Sequence, residues 1–244
     1  QAIGALAHTG GAAVVTGAQG RTPIIECLSY PDRRVQYDAA ILLGAALPTT
    51  NFSQDTAVVP LLAAAARTAG SQYAAVVAPE EEDRRQMAAA LAEEGFTVVG
   101  TAGTWDDLVA SALVGGMLDL VAARGRSDQL QATVSGVRRN ASTTAAPVLL
   151  IVAEEDRPGV ERLFALDRRV GVWTAGTPQE TMISTITDLV KRTSGGLMDQ
   201  GEAIEYAMRS LEVLQDIALS RNPVLRIEDG ERALAEALVS RSGA

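Results

Sequence analysis

Between residues 72 and 193, short apolar runs alternate with longer helical patterns. The runs are Tyr73–Ala78, Thr97–Val99, Leu118–Ala123, Val148–Ala153 and Gly171–Trp173. Nearly continuous apolar strands separated by helices mark a doubly wound parallel sheet, whose strands are covered on both faces. Before this stretch the pattern is helical. Thr22-Pro23 after Gly20 supplies a capping hydroxyl and a proline at the first helical position, where its missing N–H breaks no bond. That helix stops at Tyr30-Pro31-Asp32, and a second, about Arg33 to Leu47, sets Val35, Ala39, Leu42 and Leu43 at helical spacing before Pro48, which makes an antiparallel hairpin. After the sheet region Ile204, Ala207, Met208, Leu211, Leu214 and Ile217 repeat at helical spacing, and a further helix is expected from Asp229 to Ser240 through Ala233, Leu234, Ala237 and Leu238. Both stripes are read as core-facing.

This pattern divides the chain into helices over residues 1–71, an α/β domain over 72–193 and C-terminal helices over 194–244. In a doubly wound sheet the first strand starts, and the last helix ends, on the same side. The two helical flanks are therefore expected to pack together as one platform with the α/β domain inserted between them.

Composition narrows the function classes. With 47% hydrophobic residues among 244 the chain can bury a substantial core, and with only 4% aromatics that core is built from closely packed helices and small side chains. The net charge of −9 divides into 0, −5 and −4 over the three segments, so no segment carries a basic footprint for nucleic acid or an anionic membrane. The longest apolar runs, such as Ala57 to Ala66 with Pro60 inside, fall short of the roughly 18 residues that cross a bilayer. The chain reads as soluble and cytoplasmic, and its start at Gln1 suggests a piece of something longer. A single cysteine, Cys27, and a single histidine, His8, exclude an internal disulfide and leave little for a zinc site. Cys27 lies beside Ile24, Ile25 and Leu28 and is read as a buried structural thiol, and His8 as a helix-end residue. Asn140-Ala141-Ser142 matches a glycosylation acceptor, a short motif with many chance matches and no secretory context here.

Two resemblances follow from particular residues. The run Val35-Gln36-Tyr37-Asp38-Ala39-Ala40-Ile41-Leu42-Leu43-Gly44 resembles the second helix of a HEAT repeat, although that family usually has arginine where Gln36 stands. Residues 1–9 look like the tail of a preceding repeat and Gln54 to Thr68 like the first helix of the next. HEAT repeats imply protein binding, but about three are needed to bury a stable core, so these helices must lean on something else. The second resemblance starts from Val76-Val77-Ala78-Pro79-Glu80, then Arg84-Arg85 and Glu94-Gly95-Phe96-Thr97-Val98. It is similar to the opening of a response-regulator receiver domain. Leu118-Asp119-Leu120-Val121, Ala146-Pro147-Val148-Leu149-Leu150 and Val170-Gly171-Val172-Trp173 resemble its third, fourth and fifth strands. This implies a flavodoxin-like five-stranded sheet of order 2-1-3-4-5 with its site at the carboxyl edge.

That resemblance implies a phosphate-accepting site whose residues are missing here. An active receiver has an acidic pair after the first strand, an aspartate ending the third, a hydroxyl after the fourth and a lysine after the fifth. The matching positions hold Ala78 and Pro79, Arg124, and Val152 or Ala153, and Thr174 to Pro178 contains no lysine. A guanidinium cannot form an acyl phosphate and repels the divalent ion that assists transfer. Arg124 is read first as a solvated loop residue, then as an anion contact or one half of an internal ion pair. Glu80, Glu81, Glu82 and Asp83 are read as first-turn carboxylates capping free N–H groups, as are Glu154, Glu155 and Asp156, with a shared cation site as the sharper alternative. Thr9-Gly10-Gly11 and Gly17-Ala18-Gln19-Gly20 lack the lysine and serine of a P-loop and are read as turns. Trp105 and Trp173 are expected to pack the sheet edge or a domain contact.

No catalytic, cofactor-binding or metal-binding residue is expected, and no cofactor. The expected function is that of a non-enzymatic protein-interaction or scaffold module in signalling, with a pseudo-receiver domain that takes no phosphate. Its partner is another protein or a second copy, with no nucleic acid, membrane or obligatory small molecule. The alternative is a sensor of a small anion at the carboxyl edge near Arg124.

Overall fold

The structure is a computed structural model, and it describes residues 23–30, 32–68, 70–111, 118–140 and 143–230. The chain forms two compact units, residues 71–197 and, together, residues 1–70 with 198–244.

In the unit 71–197, β1 (Gln72–Val77), β2 (Phe96–Ala102), β3 (Leu120–Arg124), β4 (Val148–Val152) and β5 (Val170–Thr174) form one sheet of order β2-β1-β3-β4-β5. Every pairing is parallel: Ala74 lies opposite Val98 and Leu120, Ala122 opposite Leu149, and Leu150 opposite Val172. This is the flavodoxin-like order, and it matches the order the sequence implied. Successive strand residues point to opposite faces, so Ala75, Val77, Val121, Ala123, Val148 and Leu150 share one core layer while Ala74, Val76, Leu120, Ala122, Leu149 and Ile151 share the other. Leu91 of α4 (Glu81–Glu93) and Ile186 and Leu189 of α8 (Gln179–Ser194) cover the second layer. Leu108 of α5 (Trp105–Ser111), Val134 of α6 (Ser127–Arg139) and Val160 of α7 (Arg157–Leu163) cover the first.

Strand ends differ from the pattern in instructive places. β2 extends to Ala102 rather than stopping at Val99, because Gly100, Thr101 and Ala102 pair with Ala75, Val76 and Val77 after a register shift in the ladder. β3 begins at Leu120 rather than Leu118, because Asp119 is held as a corner: its N–H donates to Tyr73 O at 2.8 Å and its Oδ2 accepts from Tyr73 N at 2.7 Å.

The other unit contains α1 (Pro23–Glu26) with a 3₁₀ turn at Cys27–Ser29, α2 (Arg33–Ala45), α3 (Asp55–Thr68) and α9 (Gln200–Ser220). Asp32 caps α2 by accepting from Arg34 N at 2.9 Å and Val35 N at 3.4 Å. α2 ends two residues before the expected Leu47, which has φ 44° in the exit turn. Leu28, Tyr37, Leu43, Val58 and Leu62 share one core with Tyr206, Leu214 and Ile217 of α9. The closest approach is at Gly44, where a Cβ would stand 2.5 Å from Val213 Cγ1 and 3.1 Å from Leu62 Cδ1. Arg34 Nε and Nη2 grip Glu202 at 2.5 and 2.7 Å, a fork-to-fork pair between α2 and α9.

α9 corrects one expectation. Its buried face is Ala203, Tyr206, Ser210, Val213, Leu214 and Ile217, whereas Ile204, Met208 and Leu211, read as core-facing, are exposed. Apolar residues cover so much of this helix that their spacing does not select one side. Of the helix expected from Asp229, only the 3₁₀ turn Ile227–Gly230 falls within the described residues.

Candidate functional site

Doubly wound sheets bind ligands at the carboxyl ends of their strands, so that edge is the candidate site. After β1, the Ala78 N–H donates to Ala102 O at 3.0 Å, and the carbonyls of Ala78 and Pro79 accept from Arg84 Nη1 at 2.7 and 2.6 Å. β3 ends on Arg124, whose Nη1 donates to Asp83 Oδ1 at 2.7 Å. Beyond β5 the Thr177 hydroxyl donates to Thr174 O at 2.7 Å. Asp83 and Arg84 are neighbours in the first turn of α4, so one turn of one helix engages both β3 and the loop after β1.

The favoured reading of Arg124 as a solvated loop residue is corrected here. It stays in the ladder opposite Ile151, and its half-exposed side chain pairs with an Asp83 side chain that is only 22% exposed. An arginine has no oxygen to accept a phosphoryl group, and it neutralises the nearest carboxylate. Among the described residues no group of three or more His, Cys, Asp or Glu could hold a metal ion.

The acidic clusters also do something other than cap. Glu80 stands at the N-cap of α4 without a side-chain cap bond. Glu81 Oε1 accepts from Arg85 at 2.8 Å, and Glu82 contacts Arg85 at 3.3 Å and Gln86 at 2.9 Å. The Arg85 hydrogen bond and charge lower the pKa of Glu81. Asp156 precedes α7 with no side-chain cap bond either, and Arg157 pairs instead with Glu161 at 2.7 Å. Proline in the first turn of α7 removes one of the donors such a cap would serve.

Cys27 is half-buried against the helical core, and burial, with Glu26 second, pushes its thiol pKa up, away from the reactive thiolate. Trp105 is buried on the sheet's face rather than its edge, lying over Gly136 of α6. Trp173 is in the edge strand β5, where its indole N–H donates to Thr181 Oγ1 at 3.0 Å. His8, residues 1–9, both glycine-rich stretches, Ala141 and Ser142 lie outside the described residues. No helix among the described residues is long and apolar enough to cross a membrane.

Sequence reasoning missed Arg84. It and Arg85 are adjacent and chemically identical, and the rotation of α4 alone sends one to backbone carbonyls and the other to exposed glutamates. It also missed a polar seam at the opposite edge of the sheet. There Arg138 Nε donates to Asp167 Oδ2 at 2.8 Å and Arg138 Nη1 to Ala146 O at 2.7 Å, while Arg169 Nη1 donates to Thr144 O at 2.7 Å. An open groove of about 680 Å³ runs along β5 between α7 and α8, lined by both acidic and basic groups, including Asp188 and Arg168. In it Arg192 Nη2 donates to Val170 O at 3.2 Å, which covers part of the strand's free edge.

No family model matches the chain, and no curated protein matches it. Among solved structures it is similar to a sensor protein from Polaromonas sp. JS666, at 12% identity over 50% of this chain and 98% of that one, with a TM-score of 0.41. It is similar to a response regulator receiver modulated diguanylate cyclase from Pelobacter carbinolicus, at 14% identity over 51% and 95%, with a TM-score of 0.39. A fusion containing a yeast Spc42 trimeric coiled-coil segment gives 19% identity over 61% and 97%, with a TM-score of 0.41. The fold assignment rests on strand order and pairing.

Proposed function

We propose that this chain is a non-enzymatic protein-interaction module in which a degenerate, receiver-like α/β unit is joined to HEAT-like helices. The observation that carries this reading is the pair of guanidinium contacts at the carboxyl edge, Arg124 to Asp83 and Arg84 to the Ala78 and Pro79 carbonyls. A phosphoryl acceptor needs a carboxylate at the strand end and a divalent cation beside it. This edge presents positive charge in both places, and both guanidinium groups already contact acceptors of the same unit. The commitment of Arg124 to Asp83 also counts against the anion-sensor alternative, because an incoming anion must displace a carboxylate already in contact.

The test is intact-mass measurement after incubation with acetyl phosphate and magnesium, paired with thermal denaturation in beryllium fluoride and magnesium. The expected result is no phosphoryl adduct and no stabilisation. A ligand at one hundred times its dissociation constant adds about 2.7 kcal/mol, so binding would be easily read. A phosphoryl adduct on the native chain would overturn the proposal.

A further inference from the structure

The exposed side of α9 carries an apolar stripe that lies outside the core formed by the described residues. Ile204, Met208, Leu211 and Leu219 are 53%, 59%, 48% and 75% exposed. Their spacing of four, three and eight residues keeps them on one side of the helix, over about 22 Å of its length, with the exposed amide of Gln215 between Leu211 and Leu219. On one flank stand Ala207 and Ala218, small enough to let a second helix approach closely. On the other flank stand Glu205, Glu212 and Asp216, all exposed. Arg209 on that flank is already engaged: it lies 3.7 Å from Asp38 and 3.8 Å from Glu205, and its guanidinium packs 5.9 Å from the Tyr206 ring centre. Glu212 and Asp216 make no ion pair among the described residues.

We infer that this stripe is a docking surface for an amphipathic helix of a partner protein, with apolar residues at helical spacing and lysine or arginine along one flank. The inference rests on the interaction-module reading above and supplies the partner's chemistry. A stripe of this length and spacing takes another helix laid along it with their ridges and grooves interlocked. The carboxylate row then selects a basic flank, since apolar contact gives affinity with little discrimination while opposed charges give specificity and reject like-charged helices. A second copy fits less well. It brings the same carboxylate row to the contact, and a two-fold antiparallel pairing of stripe on stripe sets Glu212 and Asp216 of one copy against those of the other.

The test uses two stapled helical peptides of about 20 residues with identical leucine stripes, one flanked by lysine and one by glutamate, titrated against the full chain by fluorescence anisotropy. The lysine-flanked peptide is expected to bind at least about tenfold more tightly, a difference of about 1.4 kcal/mol. Leu211→Asp should abolish its binding while the far-UV circular dichroism and melting temperature stay unchanged, as the residue is exposed. Glu212→Lys with Asp216→Lys should reverse the preference between the peptides. Absence of binding at about 1 mM, equal binding of both peptides, or indifference to either variant overturns the inference. So does sedimentation velocity showing a native dimer that Leu211→Asp dissociates, which would give the stripe to a second copy. These outcomes are independent of the phosphoryl measurement, so failure of one reading is distinguishable from failure of the other.

Discussion

Gly136 sits in the interior of α6 beneath the Trp105 indole, and a Cβ built there would lie 2.2 Å from Cδ1, 2.9 Å from Cγ and 3.0 Å from Nε1 of that ring. Carbon atoms in contact prefer about 3.5–4.0 Å, so Gly136→Ala requires the ring to retreat by roughly 1 Å. The indole is rigid, 5% exposed and in one core cluster with Leu108, Leu130 and Val137, and it begins α5, so its retreat moves the helix start as well. Overpacking of this kind costs about 1–3 kcal/mol, while alanine in a helix interior gains about 1 kcal/mol over glycine. The net expectation is a loss of up to about 2 kcal/mol, where propensity alone predicts a gain. Both tryptophans lie in the unit 71–197, so urea denaturation followed by tryptophan emission reads that unit. Trp105→Phe shortens the ring and leaves Trp173 to report. On that background Gly136→Ala should cost at least about 1 kcal/mol less, a coupling that only contacting residues show. A midpoint that rises in the single variant, or equal effects on the two backgrounds, would refute the argument.

Asp167 is pushed up by burial but pulled down more by its hydrogen bonds to Arg138 and to the Arg169 backbone and by their charges, leaving its pKa lowered. Its folded pKa lies below the unfolded value, so the stability it contributes is present above about pH 4 and is lost as pH falls through the folded value. Asp167→Asn should therefore narrow the gap to the native protein as pH drops from about 5 to 3 in the tryptophan-monitored unfolding. A gap constant across that range would contradict the sign. Separately, reversing the pair at the carboxyl edge as Asp83→Arg with Arg124→Asp should recover the stability lost in either single variant, about 1 kcal/mol each because Arg124 is half-exposed. Thermal denaturation decides: a double variant as unstable as the sum of the singles would show that the pair holds nothing together.

β1, β3 and β4 were legible because their positions are buried on both faces and read as unbroken apolar runs. The edge strand β2 was read short, since Gly100 and Thr101 carry no apolar signal and are held by backbone pairing to β1, which no local pattern encodes. In α9 the spacing from Ile204 to Ile217 located a helix, which runs from Gln200 to Ser220, but the side it buries is chosen by Tyr37, Leu43 and Leu62, residues far away in sequence. The carboxyl edge was half legible. Counting along the pattern placed Arg124 at the end of the third strand. Its partner, Asp83, depends on the rotation of α4 about its axis, which first-turn acidity leaves open because four consecutive acids satisfy the helix dipole equally well.

The two surfaces differ in how their groups are satisfied, and that difference bears on where a partner acts. At the carboxyl edge the exposed guanidinium of Arg124 already has a carboxylate, and the carbonyls after β1 already have Arg84. A ligand there would have to replace charge-assisted hydrogen bonds with equivalents, which leaves little net gain. The α9 stripe presents apolar side chains to water with one amide, Gln215, among them, and each apolar side chain buried there adds transfer free energy. Interaction free energy is therefore more readily found on the helical unit than at the sheet edge. The docking proposed above is therefore better tested along Ile204 to Leu219 than at the positions where the α/β fold ordinarily holds its ligand.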